Sequence, residues 1–269
     1  MRGVLIGAGV LVVLYGLLAA SLFLMQRRIL FLPDTGRPDL ARAAIPGVRA
    51  MTVTTDDGLA LLAWYLPPER DDGQVVLYLH GNAGHIGHRA YRLERYRRLG
   101  WGVLLLEYRG YGGNAGSPSE AGLLTDARAG LASLQAMGFP PHRILLWGES
   151  LGSGLAVRLA VEQPVAAVLL EAPYTSITDM AWRRFPFVPV NWLLLDRFDS
   201  LGAIGGVRAP VLVMHGALDR IIPLAMGLRV YDAAPEPKEL WIAEHAGHVD
   251  LVEAGAVEAA GDFVARMGP

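Results

Sequence analysis

Leu145-Leu146-Trp147-Gly148-Glu149-Ser150-Leu151-Gly152 decides how this chain folds. Apolar residues run straight into Gly-x-Ser-x-Gly, and a helix-forming stretch from Ser153 to Glu162 follows. The pattern predicts a strand, a sharp turn with a serine at its apex, and a helix. Two glycines are needed because so tight a turn leaves no room for Cβ atoms beside the serine backbone. The turn lifts the hydroxyl over the end of a sheet, where a base can reach it and a helix N-terminus favours negative charge. Such a short pattern also arises by chance, so the reading depends on whether the remaining machinery follows in order.

It does. Pro210 to Gly216 reads as a buried strand, followed by the loop Ala217-Leu218-Asp219-Arg220-Ile221-Ile222-Pro223. Leu240-Trp241-Ile242 is a short strand ending in Glu244-His245-Ala246-Gly247-His248-Val249-Asp250. A serine, an acid and a histidine thus appear in that order, each just past the carboxyl end of a predicted strand, an order distinct from two other serine-hydrolase arrangements. The chemistry needs all three: serine is a poor nucleophile until a histidine takes its proton, and an acid must hold the imidazole tautomer. Ser150, Asp219 and His248 are the expected set. Glu171, at the end of the preceding strand, is the competing acid and His245 the competing base. Asp219 has the better loop, with Gly216 before it and Pro223 after. Val75 to Leu79 is another continuous apolar strand, running into His80-Gly81-Asn82-Ala83-Gly84. This loop and the residue after the serine are expected to donate backbone N–H groups to an oxyanion, from Asn82 (with Ala83 as the neighbouring possibility) and from Leu151. His80 is expected to shape the loop rather than act as a base.

Further out, Met51 to Thr55 and Leu59 to Leu66 flank Asp56-Asp57-Gly58, a hairpin signal. The chain then alternates: strand 75–79, helix about 87–98, strand 102–107, helix 119–137, strand 143–147, helix 151–163, strand 165–170. Such alternation predicts an α/β fold, a mostly parallel sheet with helices on both faces and its site at the strand carboxyl ends.

His80-Gly81-Asn82-Ala83-Gly84, Glu107-Tyr108-Arg109-Gly110-Tyr111-Gly112, Pro118-Ser119-Glu120 with Asp126, and Gly148-Glu149-Ser150-Leu151-Gly152 together resemble one branch of the α/β hydrolases. That branch groups membrane-associated protein depalmitoylases and lysophospholipid lipases with bacterial serine aminopeptidase-like proteins. The resemblance spans about residues 50 to 265. It implies an α/β-hydrolase fold with a small cap, a Ser150–Asp219–His248 triad, and ester, thioester or amide hydrolysis. The family loop also favours His248 over His245. Glu149 is a departure, because the family often carries Arg or His there, and a negative charge beside the nucleophile is expected to disfavour anionic substrates. An acyl ester or thioester, of a lipid or lipidated molecule, is the expected substrate; amide or peptide hydrolysis is the alternative, and a non-catalytic membrane scaffold a more distant one.

With 269 residues the chain suits one sizeable domain plus an appendage. A net charge of −2 and no basic tail exclude nucleic acid as an expected partner. No cysteine means no disulfide, thiol catalysis or cysteine-held metal. No dinucleotide or phosphate-cradling motif calls for a cofactor, and His85 and His88 lack a ligand set at usable spacing in the sequence.

Val4 to Met25 is apolar apart from Tyr15 and Ser21, with Arg2 on one side and Gln26-Arg27-Arg28 on the other. At ~1.5 Å per residue the run is about as long as a bilayer core is thick. A cleaved signal peptide would end at Ala19-Ala20-Ser21, but Leu22-Phe23-Leu24-Met25 continue the run and Arg27-Arg28 look like a stop. Residues 1–28 are therefore expected to be a single-pass anchor, in a bacterial inner membrane, with the side of the domain and the oligomeric state left open. Residues 29–48, with Pro33, Pro38 and Pro46, read as a linker, and 49–269 as the hydrolase domain. Within it, about 174–206 is an irregular insertion carrying Trp182, Phe185, Phe187 and Trp192. These side chains either pack a cap onto the domain or form a greasy acyl pocket or lipid-touching surface. In helix 87–98, His85, His88, Arg89, Arg92 and Arg95 fall along one face, which is expected to be solvated.

Overall fold

Five consecutive apolar residues, Val75 to Leu79, have no polar face to offer water, so the strand they form must be covered on both sides. In the computed structural model, which describes residues 1–43 and 45–267, all five are buried. Alternate side chains enter separate layers. Val75, Leu77 and Leu79 pack with Leu131, Leu155 and Leu159, while Val76 and Tyr78 pack with Leu93, Tyr96 and Phe263.

The chain opens with helix α1 (Arg2–Leu30), then β1 (Leu32–Pro33) and the short α2 (Leu40–Ala43). The hairpin β2 (Arg49–Thr54) and β3 (Ala60–Leu66) precedes β4 (Val75–Leu79) and β5 (Ala83–Gly84). Next come α3 (Tyr91–Arg98), β6 (Gly102–Leu106), α4 (Glu120–Ala136), β7 (Ile144–Glu149), α5 (Leu151–Glu162) and β8 (Ala167–Glu171). The insertion holds α6 (Ile177–Arg184), α7 (Val190–Leu193) and α8 (Ser200–Ile204). The chain then forms β9 (Val211–Gly216), α9 (Leu224–Ala233), β10 (Lys238–Ala243) and α10 (Ala256–Met267).

Eight strands form one sheet in the order β10-β9-β8-β7-β4-β6-β3-β2. Pairings from β10 to β6 are parallel, and β3 pairs antiparallel with both β6 and β2. This is the predicted α/β-hydrolase architecture. The chain leaves β4 for β6 on one side and returns to β7 on the other, so the loops after β4 and β7 emerge side by side. Ligands bind in the crevice at such a topological switch point. Leu79 pairs with Gly148, which sets His80 to Gly84 next to Ser150.

The stretch expected to be a linker is docked. Phe31 is buried in the core and meets Phe198 edge-on, with ring centroids 6.3 Å apart. Leu32 and Pro33 pair in parallel with Ala83 and Gly84. Prolines and glycines mark irregular backbone, but irregular backbone need not be loose. Phe31, the pairing of β1 with β5, and the packing of Leu40, Ile45 and Val48 against the core together tie the segment down.

Candidate active site

Ser150 occupies φ 50°, ψ −117°, a left-handed conformation that costs a non-glycine residue on the order of 1–3 kcal/mol. Both flanking glycines are required by contact. A Cβ on Gly148 would lie 2.5 Å from the carbonyl oxygen of Gly152, and one on Gly152 would overlap the carbonyl of Leu79. The Ser150 amide donates to the Glu171 carbonyl at 2.8 Å, fixing the turn to β8.

From this apex Ser150 Oγ donates to His248 Nε2 at 3.1 Å, and His248 Nδ1 donates to Asp219 Oδ2 at 2.7 Å. Asp219 is buried, and burial alone would raise its pKa. The neighbouring imidazoles of His215 and His248 and the Ile222 amide outweigh burial and hold the carboxyl well below its usual range. Asp219 Oδ1 accepts from the amides of Ile221 and Ile222, each at 2.8 Å. His215, buried at the end of β9, donates Nε2 to the Ile222 carbonyl at 2.8 Å and lies 3.5 Å from Asp219 Oδ2. The sequence reading missed this support, although a histidine closing an otherwise apolar buried strand was a signal. Glu171 and His245 are not brought into the group: Glu171 pairs elsewhere, and His245 is exposed.

Asn82 and Leu151 line the same cavity as Ser150. Asn82 is held from several directions. Its carbonyl accepts from the Leu32 amide at 2.9 Å and the Tyr111 hydroxyl at 2.8 Å, and its side chain donates to the Leu30 carbonyl at 2.8 Å. His80 is buried, with Nδ1 donating to the Gly81 carbonyl at 2.7 Å and Nε2 3.1 Å from Glu107 Oε1. That is the expected loop-shaping part. Tyr108 adds a hydrogen bond to the His80 carbonyl at 3.0 Å. Arg109 donates its amide and Nε to Asp126 at 2.9 and 2.8 Å, and Nη1 to Asp57 at 2.7 Å. The Tyr108–Gly112 motif and Asp126 therefore brace the loop that carries Asn82.

Arg89 and Arg92, expected on a solvated face, are not solvated, whereas His88 and Arg95 stay at the surface. Arg92 is only 2% exposed and grips Glu171, itself 1% exposed, through two hydrogen bonds of 2.7 and 2.8 Å. Arg89 Nη2 donates to Glu149 Oε1 at 3.0 Å, Arg92 stands 3.5 Å from Glu149, and the Tyr78 hydroxyl also donates to Glu149. Trp147 Nε1 donates to Glu171 at 2.8 Å. Burial works to raise the Glu149 pKa, but Arg92 and Arg89 outweigh it and keep the carboxylate ionised. Glu149 consequently presents no bare negative charge beside Ser150, and the expected bias against anionic substrates loses its basis. Asp34, absent from the sequence argument, lies 3.6 Å from His85 and 3.7 Å from His88, whose rings stack at 4.0 Å.

Above Ser150 lies a cavity of about 290 Å³, walled by α1, α6, α7 and the loop after β9. Its lining is mostly apolar, with Gln26, Asn82, Ser150 and Tyr174 the neutral polar contributors, and Arg184 is the only charged side chain there among the described residues. Of the insertion's aromatics, Tyr174 and Phe185 line the cavity, whereas Trp182, Phe187 and Trp192 are 56%, 59% and 89% exposed. Those three do not pack the cap onto the domain.

A family profile described as serine aminopeptidase, S33, matches residues 71–203. An uncharacterized protein of Mycobacterium tuberculosis is 42% identical over 227 residues, which cover 84% of this chain and 81% of that protein. The lysophosphatidylserine lipase ABHD12 of Danio rerio is 34% identical over 198 residues, 66% of this chain and 51% of the lipase, so the match spans about half of that relative. Among solved structures, the Pyrococcus furiosus esterase Pf2001 superposes with a TM-score of 0.71 at 20% identity, over 88% of this chain and 99% of the esterase, a likeness of fold. By sequence, fold and the arrangement around Ser150, the chain belongs to the serine aminopeptidase (S33) group of the α/β-hydrolase family.

Proposed function

We propose that the protein is a membrane-anchored serine hydrolase that cleaves the acyl ester or thioester of a lipid or lipidated molecule. The observation that carries this reading is the Ser150–His248–Asp219 chain of hydrogen bonds at the floor of an apolar cavity. Ser150 Oγ attacks the acyl carbonyl while His248 Nε2 takes its proton, and Asp219 holds the imidazole and stabilises the imidazolium. The carbonyl oxygen becomes an oxyanion facing the amides of Asn82 and Leu151, at the N-terminus of α5. Collapse of this intermediate breaks the bond to the leaving alcohol or thiol, which receives the proton from His248. Water, deprotonated by His248, then attacks the acyl-enzyme and releases the acid, regenerating Ser150. No step calls for a cofactor.

The apolar lining supports an acyl chain as occupant, and the long apolar α1 supports a bilayer as its source. The S33 description raises amide hydrolysis as the second reading. An aminopeptidase needs an anionic group to hold the substrate's ammonium, and among the described residues none lines the cavity. A pure scaffold would have no use for a strained serine hydrogen-bonded to a histidine. The test is reaction with a fluorophosphonate and turnover of acyl esters by the full-length protein. The adduct should map to Ser150, and Ser150→Ala should lose both the adduct and about 10⁴–10⁶-fold in kcat. Labelling elsewhere, or turnover surviving in Ser150→Ala, would end the proposal.

A further inference from the structure

We infer that α1 is a wall of the acyl-binding site, so that the substrate's chain enters sideways from the leaflet around the helix. The inference rests on the acyl-hydrolase reading above and adds the route and the residues that select the chain. An anchor that only tethers would stand clear of the domain. Here Leu22, Phe23, Ile29 and Leu30 line the cavity over Ser150.

The C-terminal half of the helix is fixed to the cap. Tyr15 donates to the Phe187 carbonyl at 2.8 Å, Gln26 accepts from the Leu195 amide at 2.8 Å, and Arg27 binds Asp196 at 2.7 Å. At its end the Leu30 carbonyl accepts from the Asn82 side chain, tying the helix to the oxyanion loop. From Tyr15 to Arg27 the cap thus runs beside α1 for about 18 Å at ~1.5 Å per residue. A bilayer core is ~30 Å thick, and the apolar run of α1 is only about 33 Å long. The helix has almost no spare length, so it cannot cross the core without carrying the tip of the cap below the headgroups. Tyr15 lies ten residues, about 15 Å, from the Met25 end of the apolar run, so the Phe187 it binds reaches the acyl-chain region, and the exposed Phe187, with Trp182 and Trp192 on the same insertion, meets acyl chains there instead of water. Both walls of the cavity, α1 and the cap, then stand in the leaflet. An acyl chain passes between them to Ser150 without crossing water.

The test uses the full-length protein in phosphatidylcholine vesicles, with kcat/KM measured for an oleoyl and an acetyl ester of the same alcohol. Leu22→Trp fills the α1 side of the cavity. Each buried methylene is worth roughly a factor of four, so displacing about two should lower the oleoyl-to-acetyl ratio by roughly tenfold or more. Leu22→Ala should move the preferred acyl length upward. Leu11→Trp, on the same helix but outside the cavity lining, should keep the wild-type ratio. Fluorophosphonate labelling of each variant reports that Ser150 remains assembled. A ratio unmoved by both Leu22 substitutions, or moved equally by Leu11→Trp, overturns the inference while ester hydrolysis itself stands. Absence of ester hydrolysis in the wild type overturns the reading beneath it.

Discussion

Replacing Arg92 by Met should be among the most damaging single changes outside the triad. Arg92 sits 2% exposed beneath the Ser150 turn, with both terminal guanidinium nitrogens on Glu171 and one of them 3.5 Å from Glu149. Its charge also lies over the Tyr78 ring, 5.1 Å from the centroid. Methionine keeps most of the volume but leaves the Glu171 carboxyl 1% exposed and hydrogen-bonded only by Trp147 among its former side-chain partners. Removing one member of a buried pair costs about 3–5 kcal/mol, because the other charge stays buried without compensation. For a chain of this size each kcal/mol moves the midpoint by roughly 2–4 °C, so thermal unfolding should fall by on the order of 10 °C. The assay is intrinsic-fluorescence melting of the full-length protein in detergent. Arg95→Met is the internal control, since Arg95 reaches Glu258 at the surface and such pairs are worth about 0–1 kcal/mol. Adding Glu171→Leu to Arg92→Met should recover part of the loss, limited by Trp147 Nε1 losing its acceptor. A melting point for Arg92→Met within about 2–4 °C of wild type, or equal to that of Arg95→Met, would contradict the buried pairing.

Gly152→Ala should prevent the native turn from forming, because the new Cβ overlaps the Leu79 carbonyl and both partners are backbone; soluble, fluorophosphonate-reactive protein at wild-type yield would contradict this. Asp219→Asn should lower kcat by about 10⁴, since an amide no longer dictates the His248 tautomer, as kinetics on the short ester will show. The same substitution carries a pH signature. The folded-state pKa of Asp219 is depressed, so its contribution to stability is full above the unfolded value of about 3.9 and fades as pH falls toward the folded one. The gap in melting temperature between wild type and Asp219→Asn should accordingly be widest above about pH 5 and narrow below pH 4; a gap that widens with acid would be wrong in sign.

What the sequence could and could not say follows from how far each signal reaches. The strand Val75 to Leu79, the hairpin around Asp57-Gly58 and the Gly148–Gly152 turn were legible because each is specified by neighbouring residues. The candidate triad was legible because each member stands one loop beyond an apolar strand. Arg92 was misread because its partner is Glu171, 79 positions away, and a helical wheel cannot distinguish a solvated arginine from one buried on a carboxylate. A hint existed: Glu149 and Glu171 close adjacent parallel strands, and two carboxylates at buried strand ends require cations. Phe31 and the docking of the stretch before β2 left no periodic trace. The α1–cap contacts join residues more than 160 positions apart, which no local pattern encodes. For the same reason the cavity, which α1 and the cap enclose together, could be suspected from Trp182, Phe185 and Trp192 but not located.

The most direct test is a matched ester series from acetyl to palmitoyl, read as kcat/KM for the full-length protein in vesicles, with Ser150→Ala as the blank. Rates should climb with acyl length and vanish in the blank. Turnover confined to short esters, or undiminished in Ser150→Ala, would contradict acyl hydrolysis by Ser150 under an apolar cavity.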